Sequence, residues 1–290
     1  VDPSDIFQGS VGDCWLLSGI SSVAEFDGAI KRLFRKTKNL DQMPFSDKPN
    51  LYTITLWDLA TWKEVDIVID ERLPASPDGS GNLLASKPSE DGELWAPYLE
   101  KALSIHCGGW DKIVGGQCTH AWAMLTGCKH QYSIFKNKAT GKYGCFAKFN
   151  PLTKQWSKNA NSPHDCDGTS WRVAWPDVGG GGDENLELDE EELFMRLYAW
   201  DQVNYIVAAG TSGTSDKSST GGMVDNHAYS VITSVDNVAG TDIDLIKVRN
   251  PWGKGEIEDG EFDDDGPGWD KYPQIKKELK PVVADDGIFR

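Results

Sequence analysis

No stretch of the 290-residue chain approaches the roughly 20 consecutive apolar residues that a membrane-spanning helix needs; the richest runs, such as residues 205–209, are strand-sized. A membrane span is therefore not expected. Positive charge is scarce beside negative, with 29 Lys and Arg against 45 Asp and Glu, a formal net charge of −16. A field of that sign repels phosphate backbones and anionic headgroups, so no nucleic-acid partner is expected. Cysteine is sparse too. Six Cys at irregular spacing cannot form the disulfide framework of a small secreted domain, and thiols kept reduced in a cytoplasmic setting account for them more simply. The opening residues, Val1-Asp2-Pro3-Ser4-Asp5, carry no basic or apolar leader and no initiator Met, so the chain reads as a portion of a longer protein whose flanking domains are missing.

What is present is a core. Twelve Trp, ten Phe and eight Tyr are more than a disordered acidic chain carries, so the charge decorates a folded body. Near the start a glycine-rich turn, Gln8-Gly9-Ser10-Val11-Gly12, runs into Asp13-Cys14-Trp15-Leu16-Leu17, and Trp15, Leu16, Gly19, Ile20 and Val23 recur at helical steps. Residues 29–35 predict a second short helix, and residues 92–103 open another. Between them, 51–57 and 64–70 alternate as the two strands of a hairpin. From Tyr132 onward the apolar runs are short and strand-like (133–135, 144–149, 170–174, 204–209, 228–235, 244–249), with one helix expected over 186–199 and a flexible linker at 179–182. A Gly/Ser/Thr-rich loop, 211–222, precedes a histidine. The expected fold class is α+β: a helix-rich first subdomain, residues 1–128, and a sheet-rich second subdomain, residues 129–290, with a cleft between them.

The chemistry begins with Cys14. A thiol attacks as thiolate, and its ordinary pKa of about 8.5 falls when the sulfur faces a helix N-terminus or a histidine. Cys14 enters a helix, although a small buried cysteine is the plain alternative. Of the five His, His227 stands at a loop-to-strand junction in Asp225-Asn226-His227-Ala228-Tyr229-Ser230-Val231, from which a side chain reaches a cleft. Beyond the next strand, Arg249-Asn250-Pro251-Trp252-Gly253 offers an amide oxygen to orient an imidazole and an indole to shield it from water.

These three segments resemble the active-site segments of the calpain family of cysteine proteases. Val68-Ile69-Asp70-Glu71-Arg72-Leu73-Pro74 and Leu94-Trp95 through Ala102 resemble further segments of that protease core, and the likeness runs with gaps from Ser4 to about Asp286. The resemblance implies a papain-like fold and an intracellular endopeptidase acting on protein substrates through a thioester. Cys14 is then the nucleophile, His227 the general acid/base, Asn250 the orienting group and Gln8 the oxyanion-hole amide. Trp252 matches the tryptophan that packs beside the triad, and the 211–222 loop falls where the family has a mobile loop. One departure is Asn226, where a glycine usually precedes the histidine.

The resemblance also implies calcium. For a site in the second half, Glu256, Asp264 (or Asp263 if no gap is allowed) and Asp286 fit, while a further acidic position is Ile288. For a site in the first half, Asp5 fits and its acidic partner is replaced by His120. The acidic stretch 256–265 has hard oxygen ligands but is not an EF-hand, because a loop starting at Glu261 meets Tyr272 where a bidentate Glu is required. Cys118 with His120, Cys128 with His130 and His164 with Cys166 lack the cysteine spacing of structural zinc. Two rivals stay open at this point: a catalytically weak or inactive regulatory module of the same fold, and a different Cys-His acyl transferase of the transglutaminase kind.

Overall fold

The glycine-rich turn delivers Cys14 to the first residue of α1 (Cys14–Ala24), a helix in which every residue from Trp15 to Ala24 is buried. Such a helix is buried all round and needs partners on all sides, with hydrogen-bond acceptors for its serines. A computed structural model describes residues 1–38, 40, 48–148, 170–176, 182–220, 222–255 and 260–290; the expected linker at 179–182 lies almost wholly outside them. After α1 come α2 (Ala29–Leu33), then the antiparallel hairpin of β1 (Leu51–Asp58) and β2 (Lys63–Asp70), in register from Leu51 opposite Asp70 to Asp58 opposite Lys63. The helices α3 (Trp95–Cys107) and α4 (Cys118–Thr126) follow, each stopped by a glycine in the left-handed region.

The helix α4 is one that the sequence reading does not name, although it falls in the half expected to be helix-rich. Ala121, Met124 and Leu125 recur at helical spacing and are buried, and the helix lies so close to α1 that a Cβ on Gly19 would sit 2.6 Å from the Cβ of Ala121. The largest core cluster gathers residues from Ile6 to Leu125 and, from later in the chain, Ala228.

Two antiparallel sheets follow. The strands β3 (Tyr132–Lys136), β4 (Tyr143–Ala147) and β5 (Trp171–Arg172) form one, in that order. Next comes α5 (Glu190–Gln202), which starts four residues later than expected. Leu188 pairs with Tyr143 as an isolated bridge, and Asp189 with Glu192 forms a capping box that sets the start of the helix. The remaining strands are β6 (Val207–Gly210), β7 (Ser219–Thr220), β8 (Met223–Val224), β9 (Ala228–Val235) and β10 (Leu245–Arg249). After two short helices that the sequence did not reveal, α6 (Gly268–Lys271) and α7 (Pro273–Leu279), β11 (Ile288–Phe289) completes a four-stranded sheet in the order β11-β10-β9-β6. The fold is thus a mixture of helices and antiparallel sheets, as expected. Among the described residues no helix is long and apolar enough to cross a membrane.

The helix α1 packs directly on the second sheet. Ser18 Oγ donates to Ala228 O at 3.0 Å, Ser230 Oγ donates to Ser18 O at 3.2 Å, and Ser22 Oγ donates to Val207 O at 3.4 Å. Arg249, fully buried, donates from Nη2 to Ser4 O and Ile6 O at 3.1 and 2.7 Å. Polar groups taken out of water in this way need such partners, and these bonds hold the helix that carries Cys14 against the strand that follows His227.

Candidate active site

Three elements converge. Cys14 heads α1, His227 is the last residue before β9, and Asn250 follows β10. Asn250 is fully buried, and its amide is satisfied at both ends: Oδ1 accepts from His227 Nε2 at 2.8 Å and from the Trp252 N–H at 3.0 Å, while Nδ2 donates to Gly255 O at 3.0 Å. The Nε2 of His227 therefore carries the proton in that bond, and Nδ1 is the nitrogen without it. The indole of Trp252 lies over the imidazole with ring centroids 4.7 Å apart, and Tyr229 meets the same ring edge-on at 5.0 Å.

The backbone of His227 is pinned to the base of the 211–222 loop. Its N–H donates to Thr211 Oγ1 at 3.0 Å, and its carbonyl accepts from the Thr211 N–H at 2.9 Å. Asn226 adopts φ 47°, in the left-handed region, which explains why glycine suits this position and why asparagine, the most tolerant of the alternatives, serves here.

The Cys14 thiol lies within hydrogen-bonding reach of the Ala228 and Trp15 N–H groups, one residue along from His227. No hydrogen bond between Cys14 and His227 occurs among the described residues. Burial pushes the thiol up, opposed by those two N–H groups and reinforced by the charge of Asp216 and by that of Asp13 whenever it is ionised. Burial also pushes the His227 imidazolium down, opposed by the bond to Asn250 and the charge of Asp216. Both effects favour a neutral thiol beside a neutral imidazole. Asp216, on the 211–222 loop, is an electrostatic neighbour of both groups, which sequence alone did not single out.

Gln8 is anchored on both sides of this cluster. Its backbone N–H donates to Pro251 O at 2.9 Å, and Nε2 donates one proton to Val11 O at 2.8 Å, leaving the second amide proton available.

The acidic residues considered for calcium are arranged otherwise. Asp5 accepts from Trp95 Nε1 at 3.0 Å and from the Asp2 N–H at 2.6 Å, and His120 is buried edge-on to Trp15 at 6.5 Å. Asp264 accepts from the Ala284 N–H at 2.5 Å, Asp286 from the Ile288 N–H at 2.9 Å, and Asp263 from the Gly260 N–H at 3.0 Å. Asp264 and Asp286 are electrostatic neighbours, and Arg290 lies in the field of Asp264. Glu256, like His164 and Cys166, lies outside the described residues. Among those described, no group of three or more His, Cys, Asp or Glu side chains converges as a metal site would require. Calcium takes six to eight oxygens, and the described residues do not fit it.

Comparison with known proteins agrees with the segments that flank this cluster. The family model described as "Calpain family cysteine protease" matches residues 1–148 and 146–290. The chain belongs to the calpain family of cysteine proteases. It is 27% identical over 288 residues to rat Calpain-8, 99% of this chain and 33% of the relative. It is 27% identical over 289 residues to human Calpain-9, 99% of this chain and 34% of the relative. It is 26% identical over 287 residues to the chicken Calpain-2 catalytic subunit, 99% of this chain and 33% of the relative. The chain thus spans about a third of the length of the calpains it matches.

Proposed function

We propose that this calpain-family chain is a cysteine endopeptidase of papain-like fold, cleaving protein substrates between two halves, residues 1–128 and 129–290. The observation that carries the reading is the fully buried His227 Nε2–Asn250 Oδ1 bond of 2.8 Å, roofed by Trp252, beside a thiol at the head of a buried helix. The near-exclusive origin of the first core cluster in residues 6–125 supports the boundary near residue 128.

In this reading Asn250 fixes the imidazole so that Nδ1 is left for the thiol proton. Substrate entry brings the two together, the proton passes from Cys14 Sγ to Nδ1, and the thiolate attacks the scissile carbonyl carbon. The Cys14 N–H and the free amide proton of Gln8 stabilise the oxyanion. His227 returns the proton to the leaving amine as the tetrahedral adduct collapses to a thioester. It then takes a proton from water, whose oxygen attacks the thioester, releasing the acid and restoring the thiol. No step requires a metal. A non-hydrolytic regulatory module is the second reading, favoured by the missing Cys14–His227 hydrogen bond in the resting arrangement.

Labelling with a cysteine-directed epoxysuccinyl probe separates the two. The protease reading requires labelling confined to Cys14, lost in Cys14→Ala and strongly reduced in His227→Ala; no labelling and no cleavage of a denatured protein by a chain shown to be folded would establish the module. Because the described acidic groups do not fit calcium, the labelling rate is expected to agree within about twofold between excess chelator and millimolar calcium. A rise of ten-fold or more with calcium would show that the metal assembles the site after all.

The neutral thiol and imidazole also set a pH dependence. A preformed ion pair reacts at a constant rate through neutral pH, whereas a thiol held protonated gains about tenfold in thiolate for each pH unit. Alkylation of Cys14 by a neutral reagent in the absence of substrate is expected to climb steadily from pH 6 to pH 8, measured by mass spectrometry of the modified peptide. A plateau over that range would show that the resting pair is ionic.

A further inference from the structure

Directly behind the nucleophile lies a second pair of acids. Asp13 precedes Cys14, and Glu100 is on α3; both side chains are 0% exposed. The two carboxyl groups are within hydrogen-bonding reach of each other. Glu100 Oε2 accepts from the Ser86 N–H at 2.7 Å and from Ser86 Oγ at 2.5 Å. Both oxygens of Asp13 and Oε1 of Glu100 are buried, and among the described residues they meet no donor other than the facing carboxyl group and, for Asp13, its own backbone N–H.

Two carboxylates cannot sit in contact, out of water, with both charged. One proton between them removes one charge and gives the facing oxygens a donor and an acceptor. The position of that proton follows from the partners. Glu100 has the two Ser86 donors to hold a negative charge, while Asp13 has, besides Glu100, only its own backbone N–H. Burial first, and then the charge of Glu100, hold Asp13 protonated far above the usual carboxylate range. Glu100 is the charged neighbour that acts on Asp13; on the α1 side the titratable group is Cys14, and on the α3 side Lys101 is engaged by Asp70 at 2.6 Å.

The pair has a mechanical and an electrostatic consequence. The carbonyl of Asp13 accepts from the Leu16 and Leu17 N–H groups at 2.8 and 3.1 Å and so opens α1. Tying the Asp13 side chain to α3 and to Ser86 therefore fixes the backbone from which the Cys14 thiol and N–H project. A charged Asp13 would oppose a thiolate on the next residue, and the shared proton keeps that flank neutral.

We propose that Asp13 and Glu100 share one buried proton, with Asp13 as the donor, and that this acid pair is a positioning device for the Cys14 nucleophile. The inference deepens the protease reading, in that the site it positions is the one assigned above. Its readouts need no proteolysis.

The whole chain is studied by isotope-edited infrared spectroscopy and by the pH dependence of Cys14 alkylation. At pH 7 the native protein is expected to show the C=O stretch of a protonated carboxylic acid from labelled aspartate, absent in Asp13→Asn. Asp13→Asn keeps an N–H donor toward Glu100 without charge, so its alkylation profile is expected to follow the native one. Asp13→Ala leaves Glu100 charged with only its Ser86 donors and cuts the tie to Cys14's neighbour, and its alkylation rate is expected to fall at least about tenfold, the equivalent of one lost buried charged hydrogen bond. Glu100→Gln presents an N–H donor to Asp13, favouring its ionisation, and is expected to move the Cys14 profile upward by about one pH unit; adding Asp13→Asn restores it. Circular dichroism checks that each variant is folded, and Asp13→Asn reads the proton even if the others do not fold. Absence of the acid band in the native chain, its persistence in Asp13→Asn, or an Asp13→Asn variant as impaired as Asp13→Ala would each overturn the proposal. Absence of proteolysis together with the acid band would overturn the protease reading while leaving the pair in place.

Discussion

Replacing Cys14 by alanine is expected to lower peptide-bond hydrolysis by about 10⁴- to 10⁶-fold, to the level left by substrate binding and the oxyanion donors alone. The His227→Ala variant is expected to fall as far, and the double variant no further, because the two groups act as one proton-transfer unit. The geometry explains the shared fate. His227 is fixed by Asn250 through Nε2 and by Trp252 across its face, so the imidazole has one nitrogen for one task, and without the thiol it has nothing to deprotonate. In the other direction, a buried thiol pushed up by its surroundings forms too little thiolate at neutral pH without a base. Turnover of a fluorogenic peptide by the three variants checks this. If the losses in the single variants multiply in the double variant, the residues act independently and the triad assignment fails. Thermal midpoints should change little in Cys14→Ala, which removes one half-buried sulfur at a helix head.

The second large effect is structural. A Cβ on Gly9 would lie 2.0 Å from Ala85 O and 2.3 Å from Leu84 O. Those are backbone atoms, which cannot swing aside as a flexible side chain would. The segment holding Gly9 is laced to its neighbour by Lys87 N–H to Phe7 O and Ser10 N–H to Leu84 O, both 2.8 Å. Gly9→Ala must part the two segments, adding overpacking strain to the loss of at least one of these bonds, together about 3 kcal/mol. For a chain of this size that is a drop of roughly 6 °C in the thermal midpoint, readable by calorimetry. The same displacement moves Gln8 and Ser86, the residues proposed for the oxyanion site and as a support of the acid pair, so the rate of Cys14 labelling should fall with it. A midpoint within about one degree of the native value would show that the close approach is relieved cheaply.

Much of the site was legible because its signals are local. A glycine-rich turn entering an apolar helix, a histidine at the start of an alternating strand and an asparagine held extended by a following proline are patterns of backbone geometry over a few residues. They placed Cys14, His227 and Asn250 at the ends of the elements where the structure has them. The misread pieces are also instructive. The helix α4 was missed because Cys, Thr, His and Trp are indifferent to helix or strand, and its packing on Gly19 decides the matter. The helix α5 begins at a capping box rather than at the first apolar residue, because Leu188 is taken by a bridge to Tyr143. Glu100 carried a readable signal that went unused: an acid on the same face as Ala96 and Leu103, which are buried. A charge on a core stripe asks for a partner.

The calcium ligands mark the limit of reading by alignment. Asp5, Asp264 and Asp286 stand at matching positions, yet their oxygens face an indole N–H and backbone N–H groups. Residue identity specifies a donor atom, and only its surroundings decide whether that atom meets a proton or a metal.

For this protein, the order of residues along the chain by itself determined most of the strongly periodic elements, the excess of acidic residues and the three candidate site residues, since each depends on residue type and near neighbours. Tertiary structure alone decided which of those groups meet: that Asn250 reaches the imidazole through Nε2, that the thiol rests against the Ala228 N–H rather than on His227, and that Asp13 confronts Glu100 in the buried interior. The reason is that hydrogen bonding and the cost of burying charge depend on distances of a few ångströms between elements far apart in sequence, and no local pattern contains those distances.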